Sequence, residues 1–365
     1  MNTAEPGLVV MVGTKAQFIK TAPILLELDR RCIRYRLVYT GQHSETFDAL
    51  EACFGTRPPD DNLVPGREAD TARGLLGWML RFCRAALVRI RRGEWRGARW
   101  GLVHGDTAST LLSAVALRLA GVHVAHVEAG LRSPNLLSPF PEEIVRRLVS
   151  RLSRLHFAPD AVAVANLAGA AGQVVDTGGN SLRDCLALAM RSLAKEVTVP
   201  GNGGYALVSV HRSENLGQRA RLDRILAAVV DASRKLPVRF VLHPVTRKRL
   251  NRSGWLQRLA SEPGITLMER TDYIGFVRLM LGARMLMTDG GSNQEEAAML
   301  GLPTLLLRTE TERVDGLDGG SVRLSGLDPV VVGQFVAQHA DLTWAPRALP
   351  VDSPSSRIVD AIEVA

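Results

Sequence analysis

The stretch Thr288-Asp289-Gly290-Gly291-Ser292-Asn293-Gln294-Glu295-Glu296 has the plainest chemical meaning in this chain. Apolar Met285-Leu286-Met287 precedes it and Met299-Leu300-Gly301-Leu302-Pro303 follows it. The pattern reads as a strand, a tight glycine turn and the start of a helix. Gly290, Gly291 and Ser292 at a helix N-terminus can aim several backbone N–H groups at one anion, and the helix dipole favours negative charge there. Glu295 and Glu296, one turn on, cannot bind that anion. They can accept hydrogen bonds from neutral hydroxyls such as a ribose diol. An anion site beside a diol acceptor suits a nucleoside diphosphate. The plainer alternative is a helix stabilised by acidic residues in its first turn.

Other residues capable of chemistry fall at the ends of apolar runs. Leu8–Val12 ends in Gly13-Thr14-Lys15, and Leu37–Tyr39 in Thr40-Gly41-Gln42-His43. Leu102–His104 ends in Gly105-Asp106-Thr107, and Val122–Val127 in Glu128-Ala129-Gly130-Leu131-Arg132. Ala206–Val210 ends in His211-Arg212-Ser213-Glu214-Asn215, and Phe240–Leu242 in His243-Pro244. Singly, each has a dull reading: Asp106-Thr107 as a helix cap, His243 as a core histidine. Jointly, acids, histidines and glycine turns stand at the carboxyl ends of strands, where parallel sheets gather their chemistry. Two halves presenting such groups toward one another describe a cleft holding a nucleotide.

Those apolar runs, with Val174–Asp176, Met285–Thr288 and Thr304–Leu307, are the expected strands. Amphipathic stretches at Phe18–Arg30, Thr71–Arg92, Ser109–Leu119, Glu142–Leu152, Leu222–Leu236 and Gln294–Leu300 are the expected helices, with a short one at Ser355–Val364. Near-continuous apolar strands alternating with helices imply an α/β fold with parallel sheets covered on both faces. Glu196–Gly204, with glycines, a proline and little hydrophobic pattern, is the expected linker. The expected domains are therefore 1–195, carrying the carboxylates, and 205–350, binding the nucleotide, with a C-terminal helix in 351–365 packing back on the first.

The chain has 365 residues, about two domains at ~150 each, and a net charge of +8 carried mostly by arginine. Cys32, Cys53, Cys83 and Cys185 are scattered, which favours free thiols over a disulfide framework or zinc site. The N-terminus lacks the charged and apolar regions of a signal peptide. No apolar run approaches the ~20 residues of a spanning helix. A soluble, cytoplasmic protein is expected, without membrane insertion. Arg81, Arg84, Arg89, Arg91, Arg92, Arg96 and Arg99, interleaved with Phe82, Trp95 and Trp100, form one basic patch. A solvated arginine face is expected there, and no nucleic-acid partner.

In this order, the motifs resemble those of the non-hydrolysing UDP-N-acetylglucosamine 2-epimerases. The resemblance runs nearly end to end. It rests on Gly13-Thr14-Lys15-Ala16-Gln17, Thr40-Gly41-Gln42-His43, His104-Gly105-Asp106-Thr107, His126-Val127-Glu128-Ala129-Gly130-Leu131-Arg132-Ser133, Pro141-Glu142-Glu143 and Gly179-Asn180-Ser181. It continues through His211-Arg212-Ser213-Glu214-Asn215-Leu216-Gly217, His243-Pro244, Gln294-Glu295-Glu296 and Thr311-Glu312-Arg313. It implies two Rossmann-like domains in a GT-B arrangement with the active site in the interdomain cleft. It also implies interconversion of UDP-GlcNAc and UDP-ManNAc with no metal and no nicotinamide or other cofactor. The implied partner is a UDP-sugar substrate, and a homodimer is expected. The family eliminates UDP to a 2-acetamidoglucal and adds it back after C2 is reprotonated from the opposite face. That route needs a base, an acid, and cations or N–H groups for the departing diphosphate. The resemblance gives Asp106, Glu128 and Glu142 as the acid–base carboxylates, without assigning base and acid individually, and His211 between sugar and diphosphate. It places Lys15 and His243 with the Gly290-Gly291-Ser292 turn at the diphosphate, and Glu296 at the ribose. Arg132 and Arg313 become further anion or sugar ligands.

The chain departs from the family pattern at its periphery. The first loop has Lys15, Ala16 and Gln17 where the family has Arg-Pro-Glu, and a lysine lacks arginine's bidentate fork for phosphate. Asp-Ser-Gly-Gly-Ile has become Asp289-Gly290-Gly291-Ser292-Asn293. Thr-Glu-Arg-Pro-Glu has become Thr311-Glu312-Arg313-Val314-Asp315. These changes fit an epimerase of a related, modified N-acetylhexosamine as well as one of UDP-GlcNAc. Glu45 stands where the family often has glutamine in an allosteric substrate site. The rival readings are a GT-B glycosyltransferase, a hydrolysing 2-epimerase releasing free ManNAc and UDP, and a non-catalytic nucleotide-sugar binding module. Three carboxylates count against the first and last. Pro141-Glu142-Glu143 and Thr311-Glu312-Arg313 favour the non-hydrolysing branch.

Overall fold

The computed structural model describes residues 7–43, 47–66, 72–133, 141–195, 204–311 and 315–365. The chain divides into two compact units, 1–188 with 350–365, and 189–349. The dividing point falls at 188/189. The linker expected at 196–204 lies outside the described residues apart from Gly204.

Unit 1 runs β1 (Leu8–Val12), α1 (Lys15–Arg30), β2 (Tyr35–Tyr39), α2 (Phe47–Phe54), β3 (Asp61–Asn62), α3 (Ala72–Arg92), β4 (Trp100–His104) and α4 (Ala108–Leu119). It continues with β5 (His123–Val127), α5 (Glu142–Leu152), β6 (Ser153–Ala158), α6 (Ala161–Asn166), β7 (Gln173–Asp176) and α7 (Leu182–Ala194), within which the division at 188/189 falls. The strands form one parallel sheet in the order β3-β2-β1-β4-β5-β6-β7. All five residues of β1 are buried, because both faces are covered. Leu8, Val10 and Val12 pack with Phe18, Leu25 and Leu28 of α1. Val9 and Met11 pack on the opposite face with Trp78 and Phe82 of α3 and Leu117 of α4.

Unit 2 runs β8 (Tyr205–Ser209), α8 (Ser213–Gly217), α9 (Arg219–Ser233), β9 (Val238–Leu242), α10 (Pro244–Ser253), α11 (Trp255–Ala260) and β10 (Ile265–Glu269). It continues with α12 (Tyr273–Gly282), β11 (Ala283–Thr288), α13 (Ser292–Leu300), β12 (Thr304–Leu306), β13 (Val322–Leu324) and α14 (Pro329–His339). Its parallel sheet has the order β10-β9-β8-β11-β12-β13. Ala206, Val208, Met285 and Met287 pack with Leu226 of α9 and Phe335 of α14. On the other face Tyr205 Oη donates to the Leu279 carbonyl of α12 at 2.7 Å.

The chain then returns to unit 1 as α15 (Pro354–Val364). Ile358, Val359 and Ile362 enter the core that α1 shares with the sheet. At its rim Arg31 pairs with Asp360 at 2.5 Å and Glu363 at 2.7 Å.

The α/β class and the parallel sheets are as expected. Four strands were not: β3, β6, β10 and β13. β6 follows α5 directly with no loop, and Arg154 and His156 interrupt its apolar run. The arginine patch keeps Phe82, Trp95 and Trp100 in the core, at 1, 1 and 8% exposure, so none of them is available to stack on a base. Arg89 is tied to Asp61 at 2.6 Å. Among the described residues the four cysteines form no disulfide, and no helix is long and apolar enough to cross a membrane.

Three buried histidines make unit 1 sensitive to acid. Burial pushes His126 down to about 3 and lowers His104 and His156 from the ordinary imidazole value. The unfolded chain protonates these rings near ~6.5 while the folded unit resists, so U binds more protons than N below that pH. Stability is therefore lost as pH falls from about 6.5 toward 5. Denaturant titrations of the intact protein between pH 7.5 and 5 should show the loss, by up to ~1.4 kcal/mol per pH unit for each histidine. Replacing His126 by Asn should flatten the slope. A pH-independent parent would contradict this account.

Candidate active site

In each sheet the strand order reverses at one point, and there the connecting loops splay apart and leave a crevice. In unit 1 that point lies between β1 and β4; in unit 2 it lies between β8 and β11.

The loop after β1 is held by packing and one side chain. A Cβ on Gly13 would lie 2.0 Å from Ser109 Oγ and 2.3 Å from Thr40 Oγ1, so only glycine fits. Gln17 closes a capping box on Thr14. Its Oε1 accepts from the Gly13 and Thr14 N–H groups at 2.9 and 3.0 Å. Its Nε2 donates to the His104 carbonyl and to the Thr107 and Thr110 hydroxyls at 2.8, 2.9 and 2.7 Å. Gln17 is thus a staple between the ends of β1 and β4, and its amide is used up inside the fold. Lys15, the first residue of α1, is half-buried at this loop.

The loops after β4 and β5 carry two of the carboxylates. Thr107, not Asp106, caps α4 through a capping box with Thr110. That leaves the Asp106 carboxylate to Arg146 of α5, whose Nε and Nη2 donate at 2.9 and 2.6 Å. Glu128 has φ +64. A non-glycine residue there is strained by roughly 1–3 kcal/mol and persists where neighbours fix it. Lys20 Nζ donates to its Oε1 at 2.6 Å, and Asn180 Nδ2 donates to the same oxygen at 2.7 Å. His104 Nε2 lies 3.5 Å from its Oε2. His104 Nδ1 is 3.1 Å from the Thr21 hydroxyl.

Glu142 and Glu143 open α5 with different fates. Glu143 is fully buried, accepts from the Ser133 N–H at 2.9 Å and pairs with Arg147 at 2.8 Å. Its role is to hold the loop after β5. Glu142 is half-buried, and its Oε2 is shielded from solvent with no hydrogen-bond partner among the described residues. Arg132 donates to the Leu131 carbonyl at 2.9 Å and to Ser150 Oγ at 3.3 Å, and burial lowers its pKa. Arg313 lies outside the described residues, as does Glu45.

Unit 2 gathers the nucleotide candidates. His211 follows β8, His243 follows β9 and caps α10, and Asp289-Gly290-Gly291 follows β11. Gly290 and Gly291 have φ +98 and +79, where L side chains are disfavoured. Gly291 caps α13 without a side chain, and Ser292 is exposed at the first helical position. The helix thus opens on backbone N–H groups that no side-chain cap takes. Arg308 Nη1 and Arg212 Nη2 lie 3.7 and 3.9 Å from where a Gly290 Cβ would be, so two guanidinium groups border the turn. Arg308 also pairs with Glu214 at 2.8 Å. Glu296, 2% exposed, sits on the first turns of α13. The His211 and His243 rings are 5.7 Å apart. Burial, then the neighbouring His211, lowers the pKa of His243.

The family model described as UDP-N-acetylglucosamine 2-epimerase matches residues 26–362. This chain belongs to that family. It is 34% identical over 333 residues to a probable UDP-N-acetylglucosamine 2-epimerase of Ralstonia nicotianae, covering 87% of this chain and 86% of the relative. It is 31% identical to the UDP-N-acetylglucosamine 2-epimerase of Methanococcus maripaludis, covering 88% of each. The solved structure of Methanocaldococcus jannaschii UDP-GlcNAc 2-epimerase in complex with UDP-GlcNAc and UDP superposes with a TM-score of 0.82 at 26% identity, over 98% of this chain and 99% of that one.

Sequence reasoning assigns Lys20, Arg146 and Arg308 no role, and Asn180 and Arg212 enter it only as members of motifs. Lys20 had a signal: a lone lysine within apolar Phe18-Ile19 and Ala22-Pro23-Ile24-Leu25 is placed to be buried, and a buried lysine needs an anion. The Lys20–Glu128 pair, 10 and 11% exposed, should be strongly coupled. Lys20→Met should cost about 3 kcal/mol or more by stranding the carboxylate. A cycle with Glu128→Gln should return a coupling energy of about 1–3 kcal/mol. Additive effects in urea denaturation would show that the pair contributes nothing of its own.

Proposed function

We propose that this protein epimerises C2 of a UDP-N-acetylhexosamine without net hydrolysis. The observation that carries the reading is the set Asp106, Glu128 and Glu142 at neighbouring loops of one sheet, in a member of the 2-epimerase family. The C2 proton of an N-acetyl sugar is barely acidic, and inversion without redox chemistry can proceed by elimination. One carboxylate takes the C2 proton, the C1–O bond breaks, and its electron pair leaves with the diphosphate. The product pair is UDP and a 2-acetamidoglucal with a C1–C2 double bond. A second carboxylate then protonates C2 from the opposite face while the diphosphate oxygen re-forms its bond to C1. Atoms and electrons balance with no other reactant.

The residues divide by task. Asp106, Glu128 and Glu142 handle protons, with Lys20 and Arg146 holding two of them in place. Glu142 Oε2 is shielded from solvent and has no hydrogen-bond partner among the described residues. The Gly290-Gly291-Ser292 turn, with Lys15 and His243, takes the diphosphate, and His211 stands where sugar meets diphosphate. Glu296 accepts the ribose hydroxyls, while Arg132 and Arg313 serve as further anion or sugar ligands. The bound UDP-GlcNAc and UDP of the Methanocaldococcus jannaschii relative support the choice of substrate class. The retained Pro141-Glu142-Glu143 and Thr311-Glu312-Arg313 motifs support the non-hydrolysing branch.

Turnover of UDP-GlcNAc in deuterium oxide, followed by NMR, tests the chemistry. The expected product is a UDP-ManNAc-type sugar carrying deuterium at C2. Full epimerisation with C2 hydrogen retained overturns the elimination route, and free ManNAc with UDP points to the hydrolysing reaction instead.

The nucleotide assignment has its own measurement. A carboxylate accepting two ribose hydroxyls contributes about 1.5–3 kcal/mol. Glu296→Ala should therefore weaken UDP binding by roughly tenfold or more in calorimetry. Unchanged affinity would place the ribose elsewhere.

A further inference from the structure

Asp289 is the last residue of the β11 end before the glycine turn, and it is completely buried. One of its oxygens is fully occupied. Oδ2 accepts from the backbone N–H groups of His211 and Arg212 at 2.9 and 2.7 Å and from Asn215 Nδ2 at 3.3 Å. Asn215 also donates to the Leu307 carbonyl at 3.1 Å, so the loops after β8, β11 and β12 converge on this carboxylate. The other oxygen, Oδ1, is shielded from solvent and has no hydrogen-bond partner among the described residues. His211 Nδ1 lies 3.5 Å from it.

A buried carboxylate oxygen without a donor is costly, and a modest turn of one imidazole would satisfy it. Such contacts are often long in the free enzyme and tighten when substrate binds. The reach also explains the residue type. β8 and β11 are adjacent strands, with Ser209 opposite Thr288, and neighbouring strands lie about 4.8 Å apart. The aspartate side chain spans that gap from one strand end to the next.

An ionised carboxylate only accepts hydrogen bonds. Facing Nδ1, it requires the proton on that nitrogen and leaves a lone pair on Nε2. The His211 side chain is 38% exposed, and its Nδ1 is the ring nitrogen that lies toward Asp289. We propose that Asp289 is a positioning residue for His211: it fixes the ring's orientation and its Nδ1–H tautomer, so that Nε2 is presented to the ligand as the acceptor. The inference rests on the reading above that His211 meets the substrate. It adds a residue that never touches the substrate itself.

Asp289→Asn separates the two oxygens chemically. The amide oxygen can keep the two backbone N–H bonds, while the amide N–H₂ confronts Nδ1 with a donor and drives the proton to Nε2, the wrong tautomer for the same geometry. In the parent protein, without ligand, two-bond ¹⁵N–¹H spectra should show His211 as the Nδ1–H form. In Asp289→Asn they should show Nε2–H. Turnover of UDP-GlcNAc should fall by about 10²-fold or more, with KM changed far less than kcat. An Nε2–H ring in the parent overturns the proposal, and this measurement stands even if the variant does not fold. An Nδ1–H ring retained in Asp289→Asn also overturns it. A clean tautomer switch with unchanged turnover upholds the positioning and overturns instead the role given to His211 in the reaction.

Discussion

Covering a parallel sheet with helices on both faces removes nearly every polar group from its interior, so polar function is confined to the loops at the strand ends. The placement of the candidate site follows from that constraint. β1, β4 and β8 are buried at every residue, and the first residues free to differ are those just past them: Lys15, Asp106 and His211. Parallel register brings these ends level. His104 is opposite Val127 in one sheet and Thr288 is opposite Ser209 in the other. Residues more than twenty positions apart in unit 1, and almost eighty apart in unit 2, are thereby held a strand's spacing from one another. Short side chains such as Asp289, and a strained backbone such as that of Glu128, then complete each site.

What the sequence made legible follows the same physics. β1, β4 and β8 announce themselves as unbroken apolar runs, because both faces are buried. Strands at the sheet margins, β3, β10 and β13, bury less and lose that signature; Thr266 and Glu269 of β10 are exposed. The acids and histidines were visible because strand ends concentrate them. Their partners were not. Lys20, Arg146 and Asn180 lie 108, 40 and 52 residues from the carboxylates they hold, and neither periodicity nor local spacing reports such a pairing. Asp289 was in plain view at the head of the glycine motif, yet only the neighbouring strand reveals that its carboxylate faces the β8 loop.

The departures from the family pattern also separate once side chains are placed. By sequence, Gln17 groups with Lys15, Gly290 and Asn293 as one altered periphery. Its amide instead makes five hydrogen bonds within the fold, joining two loops of unit 1. A neutral amide suits that position because it must both accept from two backbone N–H groups and donate to a carbonyl and two hydroxyls, which a carboxylate cannot do. Gly290 and Ser292 are a different matter. With glycine at 290, Arg308 and Arg212 approach the turn closely, while the hydroxyl has moved to the exposed first position of α13.

The charge arrangement around the three carboxylates bears on how they divide the work. Asp106 and Glu128 each have a cation at 2.6 Å, drawn from different helices, α5 and α1. Glu142 has an oxygen shielded from solvent with no partner among the described residues. The elimination proposed above needs at least one group that exchanges its proton with substrate rather than with a fixed neighbour. A carboxylate already bound to a cation must give up or share that bond to move a proton. One without such a bond has none to give up. That asymmetry distinguishes Glu142 from Asp106 and Glu128.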